Sequence, residues 1–273
     1  MFALVLKIKV LILICLSLML LGSCSEYQRV LKSRDLNLKL TKANEYFEKG
    51  NYYKALPIYE ELISAYRGTG RAADVYYKYA YCEYNLGDLI MANYRFDNFT
   101  KTFPNSDKVE ECAFMAAYCS YVISPRSSLD QSATFQAIDE LNLFMNLYPN
   151  SNLVDSCNTL LDELRIKLEK KSFDLAQLFL KTAKYKAAIV TFENTLVDFP
   201  DTDYKEEILF NSLKAHYKLA LNSVDSKKEE RLKDTMKAYV KFADSLPNSS
   251  LLRKAEDMYR STQAELARVY TKK

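Results

Sequence analysis

The chain is 273 residues long, carries 38 Lys and Arg against 35 Asp and Glu, and has one histidine, five glycines and no tryptophan. Near-balanced charge excludes the basic excess of a nucleic-acid binder, and a lone histidine leaves no cluster for a zinc site. So few glycines exclude a turn-rich β architecture, and abundant Leu, Ala, Lys and Glu point to an all-α protein.

The chain opens with Lys7 and Lys9, an apolar run of twelve residues from Val10 to Leu21, and the small pair Gly22 and Ser23. Twelve residues fall short of the roughly 20 that span a bilayer. Residues 1–23 therefore read as a secretory signal peptide. Leu21-Gly22-Ser23-Cys24 resembles a bacterial lipobox. The resemblance implies cleavage before Cys24, with S-diacylglycerol and an N-acyl chain added there. Several acyl chains anchor stably, because each buried CH₂ contributes about 0.8 kcal/mol. Ser25 rather than Asp follows, so by the enterobacterial rule the expected address is the outer membrane. Processing removes only Lys7 and Lys9 from the charge balance, leaving 36 basic against 35 acidic residues. Residues 24–35 are expected to be a lipid-anchored linker.

From residue 36 the chain repeats itself, the mark of a stacked architecture. FPNS at 103–106, YPNS at 148–151, FPDT at 199–202 and LPNS at 246–249 each follow an amphipathic stretch. Proline stops a helix and expels its predecessor from the α region. Asn or Asp suits the turn, and Ser or Thr suits the start of the next helix. Asp107-Lys108-Val109-Glu110 and Asp203-Tyr204-Lys205-Glu206 read as capping boxes. Twelve residues before each proline stand Ala92, Ala137, Ala188 and Thr235; eight before stand Phe96, Leu141, Phe192 and Tyr239. Small then large, four apart, lets two helices approach and interlock. Gly50, Ala55 and Tyr59 return as Gly87, Ala92 and Phe96, all offset by 37, and AYCEY at 80–84 returns as AYCSY at 117–121.

This pattern resembles the tetratricopeptide repeat (TPR), a helix-turn-helix unit of about 34 residues. The expected fold is all-α, a TPR-like α-solenoid of about five units: 36–70, 71–106, 107–151, 152–202 and 203–249. A capping helix follows over about 250–270. ISPRSSLDQSATF is expected to be a loop within the third unit, and LALNSVDSKKEERLKD a longer connection within the fifth. Residues 152–182 hold no helix breaker and read as one long helix.

Little in the chain carries chemistry. Cys82, Cys112, Cys119 and Cys157 show no CxxC spacing and read as small buried apolar residues, although a pairing with Cys82 stays open. His216 reads as a packing residue. No nucleophile–base pair, metal cluster or phosphate loop is present, so the expectation is a binding or scaffolding protein, not an enzyme, without metal or cofactor beyond the acyl groups on Cys24.

A lipobox followed at once by five TPR-like hairpins resembles the BamD family, lipoproteins of the β-barrel assembly machinery, in its Bacteroidetes-like branch. The resemblance rests on KGNYYKALPIYEELI, NLGDLIMANYRFDNFTKTFPNS, SLDQSATFQAIDELNLFMNLYPNS and KYKAAIVTFENTLVDFPDT and covers nearly the whole processed chain. It implies a periplasmic scaffold on the outer membrane that helps insert β-barrel proteins. Repeats 1–3 (36–151) would face unfolded barrel substrates, and 152–273 would face a periplasmic POTRA domain of BamA. First-helix positions Phe47, Tyr77, Tyr81, Tyr84, Phe114, Tyr118 and Tyr121 could share one face and hold a substrate's aromatic-ended strand; the same rings could equally be core between repeats. Asp74, Asn85, Asn37, Leu40 and Asn44 would accompany them, and Arg71, Lys78 and Arg126 could meet a terminal carboxylate. Another TPR envelope lipoprotein, a secretin pilotin or a cell-envelope coordinator, would carry the same anchor and repeats. A sugar-binding SusD-type chain would need large insertions that are missing.

Overall fold

The computed structural model describes residues 26–271, and every regular element among them is a helix. The expected signal peptide and acylated Cys24 therefore lie outside the described residues. Helix α1 covers 26–32, inside the segment expected as linker. It is followed by α2 (Leu36–Glu48), α3 (Tyr52–Ala65), α4 (Ala72–Leu86), α5 (Leu89–Thr102), α6 (Val109–Ile123) and α7 (Ser132–Leu147). Then come α8 (Val154–Lys181), α9 (Tyr185–Asp198), α10 (Lys205–Leu221), α11 (Asp225–Ser245) and α12 (Leu252–Thr271). The helices gather into two compact units. The first ends at Pro125 and resumes over Gln131–Leu161; the second is formed by Arg126–Asp130 and everything from Asp162 on.

In the first unit, successive helices from α2 to α7 pack on one another through short turns, which makes them antiparallel hairpins. Ala55 and Tyr59 of α3, Ala92 and Phe96 of α5, and Ala137 and Leu141 of α7 are all fully buried. The alanine admits the neighbouring helix and the large residue four later fills the space behind it. Val30 of α1 joins Ala43, Tyr59, Leu62, Val75 and Tyr79 in one cluster, so α1 is docked on the first hairpin. Lys39 fixes it there. Its side chain is buried, and its Nζ donates to the Leu31 carbonyl at 2.9 Å and to Glu61 at 2.6 and 2.5 Å.

In the second unit, α9 to α12 again pack in sequence, and α12 also touches α10, closing the stack as the expected cap. Phe173 and Ala176 of α8 share a cluster with Ala188 and Phe192 of α9 and with Ile208 and Ala215 of α10. The register slips once: Tyr239, the large residue of the fifth unit, is only half-buried and stacks on Tyr259 of α12 at 4.4 Å. Phe242 takes the core place beside Leu209, Leu213 and Ala255. The fold class is all-α and TPR-like, as the repeats imply.

The proline turns follow the expected chemistry with one correction. Phe103, Tyr148, Phe199 and Leu246 each cap a helix with ψ between 56° and 71°, out of the α region as a pre-proline residue must be. The next helix is then opened by the Ser or Thr, not by Asp107 or Asp203. Ser106, Ser151, Thr202 and Ser249 hydroxyls accept from the N–H two residues on, at 3.0–3.2 Å, while the capping residues Lys108 and Tyr204 make no side-chain cap bond. Helices α6 and α10 thus start later than a capping box would put them. Three of these hydroxyls also donate back to the first helix of their own hairpin: Ser151 to Glu110, Thr202 to Glu169 and Ser249 to Glu206.

Two loop expectations are also corrected. The third-unit loop spans only 124–131, because Ser132 to Phe135 open α7. The long fifth-unit connection shrinks to 222–224, since Asp225 already starts α11. Its lysines and glutamates pair along the helix, Lys227 with Glu230 and Lys233 with Glu229, spacings that support a helix without apolar periodicity.

Candidate functional site

The first helices of the three hairpins in the first unit, α2, α4 and α6, are cross-linked by side chains at a constant offset. Arg71 at the start of α4 donates to Asn37 at 3.0 Å and Lys78 to Asn44 at 2.9 Å. Lys108 before α6 donates to Asp74 at 2.9 Å, and the Tyr77 hydroxyl donates to Glu111 at 2.8 Å. Each bond spans 34 residues. A constant offset along both members means that α2, α4 and α6 run parallel and in register.

Aromatic rings cover this ladder. Tyr77 and Tyr81 have ring centroids 4.8 Å apart, Tyr81 and Tyr84 6.3 Å, and Tyr84 and Tyr118 6.4 Å. Tyr118 stacks on Phe114 at 6.0 Å and on Tyr121 at 5.9 Å. Six of the seven ring candidates therefore form one unbroken chain across α4 and α6, and all six are half-buried. Phe47 does not join it. It turns into its own hairpin, edge-on to Tyr52 at 5.5 Å and Tyr59 at 6.2 Å, and the Nζ of Lys78 in the ladder lies 5.9 Å from its ring. Tyr77 packs edge-on against Phe99, Tyr81 against Phe96 and Phe114 against the buried Phe144, and Tyr84 leans on the same core cluster as Tyr77 and Tyr81, so these rings contribute to the core while staying partly exposed.

The charges beneath are committed. Tyr77 and Tyr81 both donate to the same Glu111 oxygen, and burial followed by that carboxylate raises both phenols well above their usual range. Burial pushes Asp74 up, but Lys108 and Lys78 outweigh it and hold the carboxyl low. Lys108 also sits 4.5 Å over the Tyr77 ring. Tyr84 and Tyr118, by contrast, make no hydroxyl hydrogen bond to another group among the described residues, which leaves two phenols able to bond a backbone. Of the basic candidates, Arg71 and Lys78 lie within the ladder, and Arg126 belongs to the second unit. Sequence reasoning missed Lys108 and Glu111; the 34-residue offset from Asp74 and Tyr77 was the signal that could have found them.

In the second unit, Lys181, Lys214 and Lys218 line a cavity of about 260 Å³ with Gln177, Tyr185 and Asn211. His216 is half-buried beside Glu193, Asp234 and Lys241, and burial lowers its pKa despite the two carboxylates. All four described cysteines are buried and free, and burial pushes the Cys82, Cys112 and Cys119 thiols up to about 12. Among the described residues, no group of three or more His, Cys, Asp or Glu could hold a metal ion, and no helix is long and apolar enough to cross a membrane.

Comparison with known proteins places the chain. The family model YfiO, described as outer membrane lipoprotein, matches residues 37–232. The outer membrane protein assembly factor BamD of Caulobacter vibrioides is 21% identical over 214 residues, covering 74% of this chain and 66% of that protein, just under two thirds of its length. Among solved structures, a TPR repeats protein from Bacteroides fragilis is 14% identical, with 85% of this chain and 100% of that one covered and a TM-score of 0.41. The TPR2AB domain of yeast Sti1 is 11% identical, with 86% and 93% covered and a TM-score of 0.42.

Proposed function

Because the chain belongs to the YfiO family of outer membrane lipoproteins, we propose that it is a non-enzymatic scaffold for assembling outer-membrane β-barrel proteins. In this reading Cys24 carries the acyl anchor that holds the chain on the periplasmic face of the outer membrane. The aromatic face of α4 and α6 receives an unfolded barrel's C-terminal strand, and residues 152–273 dock on a POTRA domain of BamA.

The observation that carries the reading is the unbroken ring chain from Tyr77 to Tyr121 on a ladder of fixed polar bonds. Rings offer flat apolar area at little entropic cost, and Tyr84 and Tyr118 add hydroxyls for the strand's backbone. The ladder holds the platform in place, so binding need not order it first. The lysine-lined cavity of the second unit suits an acidic partner surface. The matching relative, named as an assembly factor, supports the same role.

Photocrosslinkers at Tyr84 and Tyr118, with controls at the exposed Tyr94 of α5 and Leu143 of α7, test the groove, and affinity purification from detergent-solubilised envelope tests the docking. The reading expects crosslinks to the C-terminal strand of a barrel protein and co-purification of BamA. Crosslinks only from α5 or α7 would remove the groove. Co-purification of a secretin without BamA would favour a pilotin-like envelope lipoprotein instead.

A further inference from the structure

The ladder makes α2, α4 and α6 parallel, so their C-terminal ends, and the starts of α3, α5 and α7 joined to them, lie along one edge of the first unit. That edge carries a row of exposed apolar side chains. Tyr53, Ile90 and Phe135 occupy the same register, two residues before Ala55, Ala92 and Ala137, and are 77%, 70% and 57% exposed. Leu86, the last residue of α4, adds another at 43%. The hairpin does not require an apolar residue there, since the fourth and fifth units place Lys186 and Lys233 at the same register.

The beginning of the described chain sits at this edge. Tyr27 packs edge-on against Tyr46 at 5.8 Å, and the Nζ of Lys54, the neighbour of Tyr53, lies 5.6 Å from both rings. Glu26 pairs with Lys42 at 3.1 Å. The Tyr46 carbonyl accepts from the Asn51 N–H in the turn that joins α2 to α3. Cys24 is two residues from Glu26, so chain length alone keeps it within about 7 Å of it.

We infer that this edge rests on the lipid bilayer, with Tyr53, Ile90 and Phe135 entering the headgroup–acyl boundary beside the anchor. The inference rests on the acylation of Cys24 proposed above. An anchor at this point brings the row to the membrane without further chain, and aromatic and aliphatic side chains at helix ends suit that boundary. The helices of the first unit then stand end-on to the membrane. A strand crossing α4 and α6 runs along the bilayer surface, close to where a barrel must enter it.

The absence of tryptophan makes the test direct. Ile90→Trp, Phe135→Trp and Lys101→Trp are made separately in the full acylated protein. Lys101 lies at the far end of α5, about 16 Å along the helix from Ile90. Each variant is reconstituted in phosphatidylethanolamine–phosphatidylglycerol vesicles containing brominated acyl chains, and mass spectrometry of the bound protein reads the state of Cys24. The expected result is blue-shifted, strongly quenched emission at positions 90 and 135 and unshifted, unquenched emission at 101. Unquenched emission at 90 and 135 in protein shown to be acylated overturns the docking while leaving the anchor. Equal quenching at all three overturns the end-on arrangement. A free Cys24 thiol in membrane-bound protein overturns the anchor and the docking with it.

Discussion

At the end of α8, Ala183 holds the position that Gly50 and Gly87 hold at the ends of α2 and α4. Each stands five residues before the buried alanine of the next helix, Ala188, Ala55 and Ala92. The closing bonds are the same: the following N–H reaches back five residues, from Asn51 to Tyr46, Asp88 to Glu83 and Lys184 to Phe179, at 2.8–3.1 Å. The backbone is left-handed in all three, with φ of 70°, 84° and, for the alanine, 59°. A residue with a Cβ pays about 1–2 kcal/mol for that conformation. Replacing it by glycine returns about 0.4–1 kcal/mol through the looser unfolded chain. Ala183→Gly should therefore stabilise the protein by about 0.5–1 kcal/mol, because the exposed methyl gives up little burial. Gly87→Ala should destabilise by a similar amount, since a Cβ there meets nothing within 4 Å and the cost is conformational alone. Urea unfolding followed by far-ultraviolet circular dichroism, on the chain lacking residues 1–24, reads both as opposite shifts in midpoint at constant slope. A lower midpoint for Ala183→Gly, or no change for Gly87→Ala, would refute the reasoning.

Other expectations follow from single contacts. Lys39→Met removes the donor to Leu31 and Glu61 and should loosen α1 by about 1–3 kcal/mol, seen as faster hydrogen exchange and proteolysis over 26–35 with the later hairpins unchanged. Ser151→Ala deletes both the turn bond to Leu153 and the bond to Glu110 and should cost about 1 kcal/mol in urea unfolding. The four described cysteines should resist alkylation at pH 8 in native protein and react fully in denaturant. Three of their thiols titrate near 12 when folded against 9.0 ordinarily. The folded state thus binds more protons between these values, and its stability should be intact below pH 9 and fall as pH climbs towards 12. Midpoints measured across that range check the sign.

The hairpins were legible because a proline turn closes four of the five units and a small–large pair recurs in each, and both act through sterics that depend on little beyond their own helix. The extra turns of α11 were not, because Lys227 to Asp234 carry charge pairs rather than an apolar rhythm, and charge alone also suits a loop. The ring chain could be read from spacings of three and four within α4 and α6. Phe47 broke from it because Tyr52 and Tyr59 offer it a closer aromatic pocket in its own hairpin. Asp107 and Asp203 fit caps by spacing, but the preceding Ser106 and Thr202 take the N–H groups of Lys108 and Tyr204, and the helices start only after those residues. The ladder itself joins residues too far apart for any local pattern, and only the pairing of neighbouring repeats exposes it.

The 34-residue bonds have a consequence for how the protein comes into being. Each joins a first helix only to its immediate successor, so a chain arriving from its amino end finds every partner as soon as one more hairpin has emerged. Such vectorial maturation needs no distant segment to be waited for, and close-range topology of this kind favours rapid assembly.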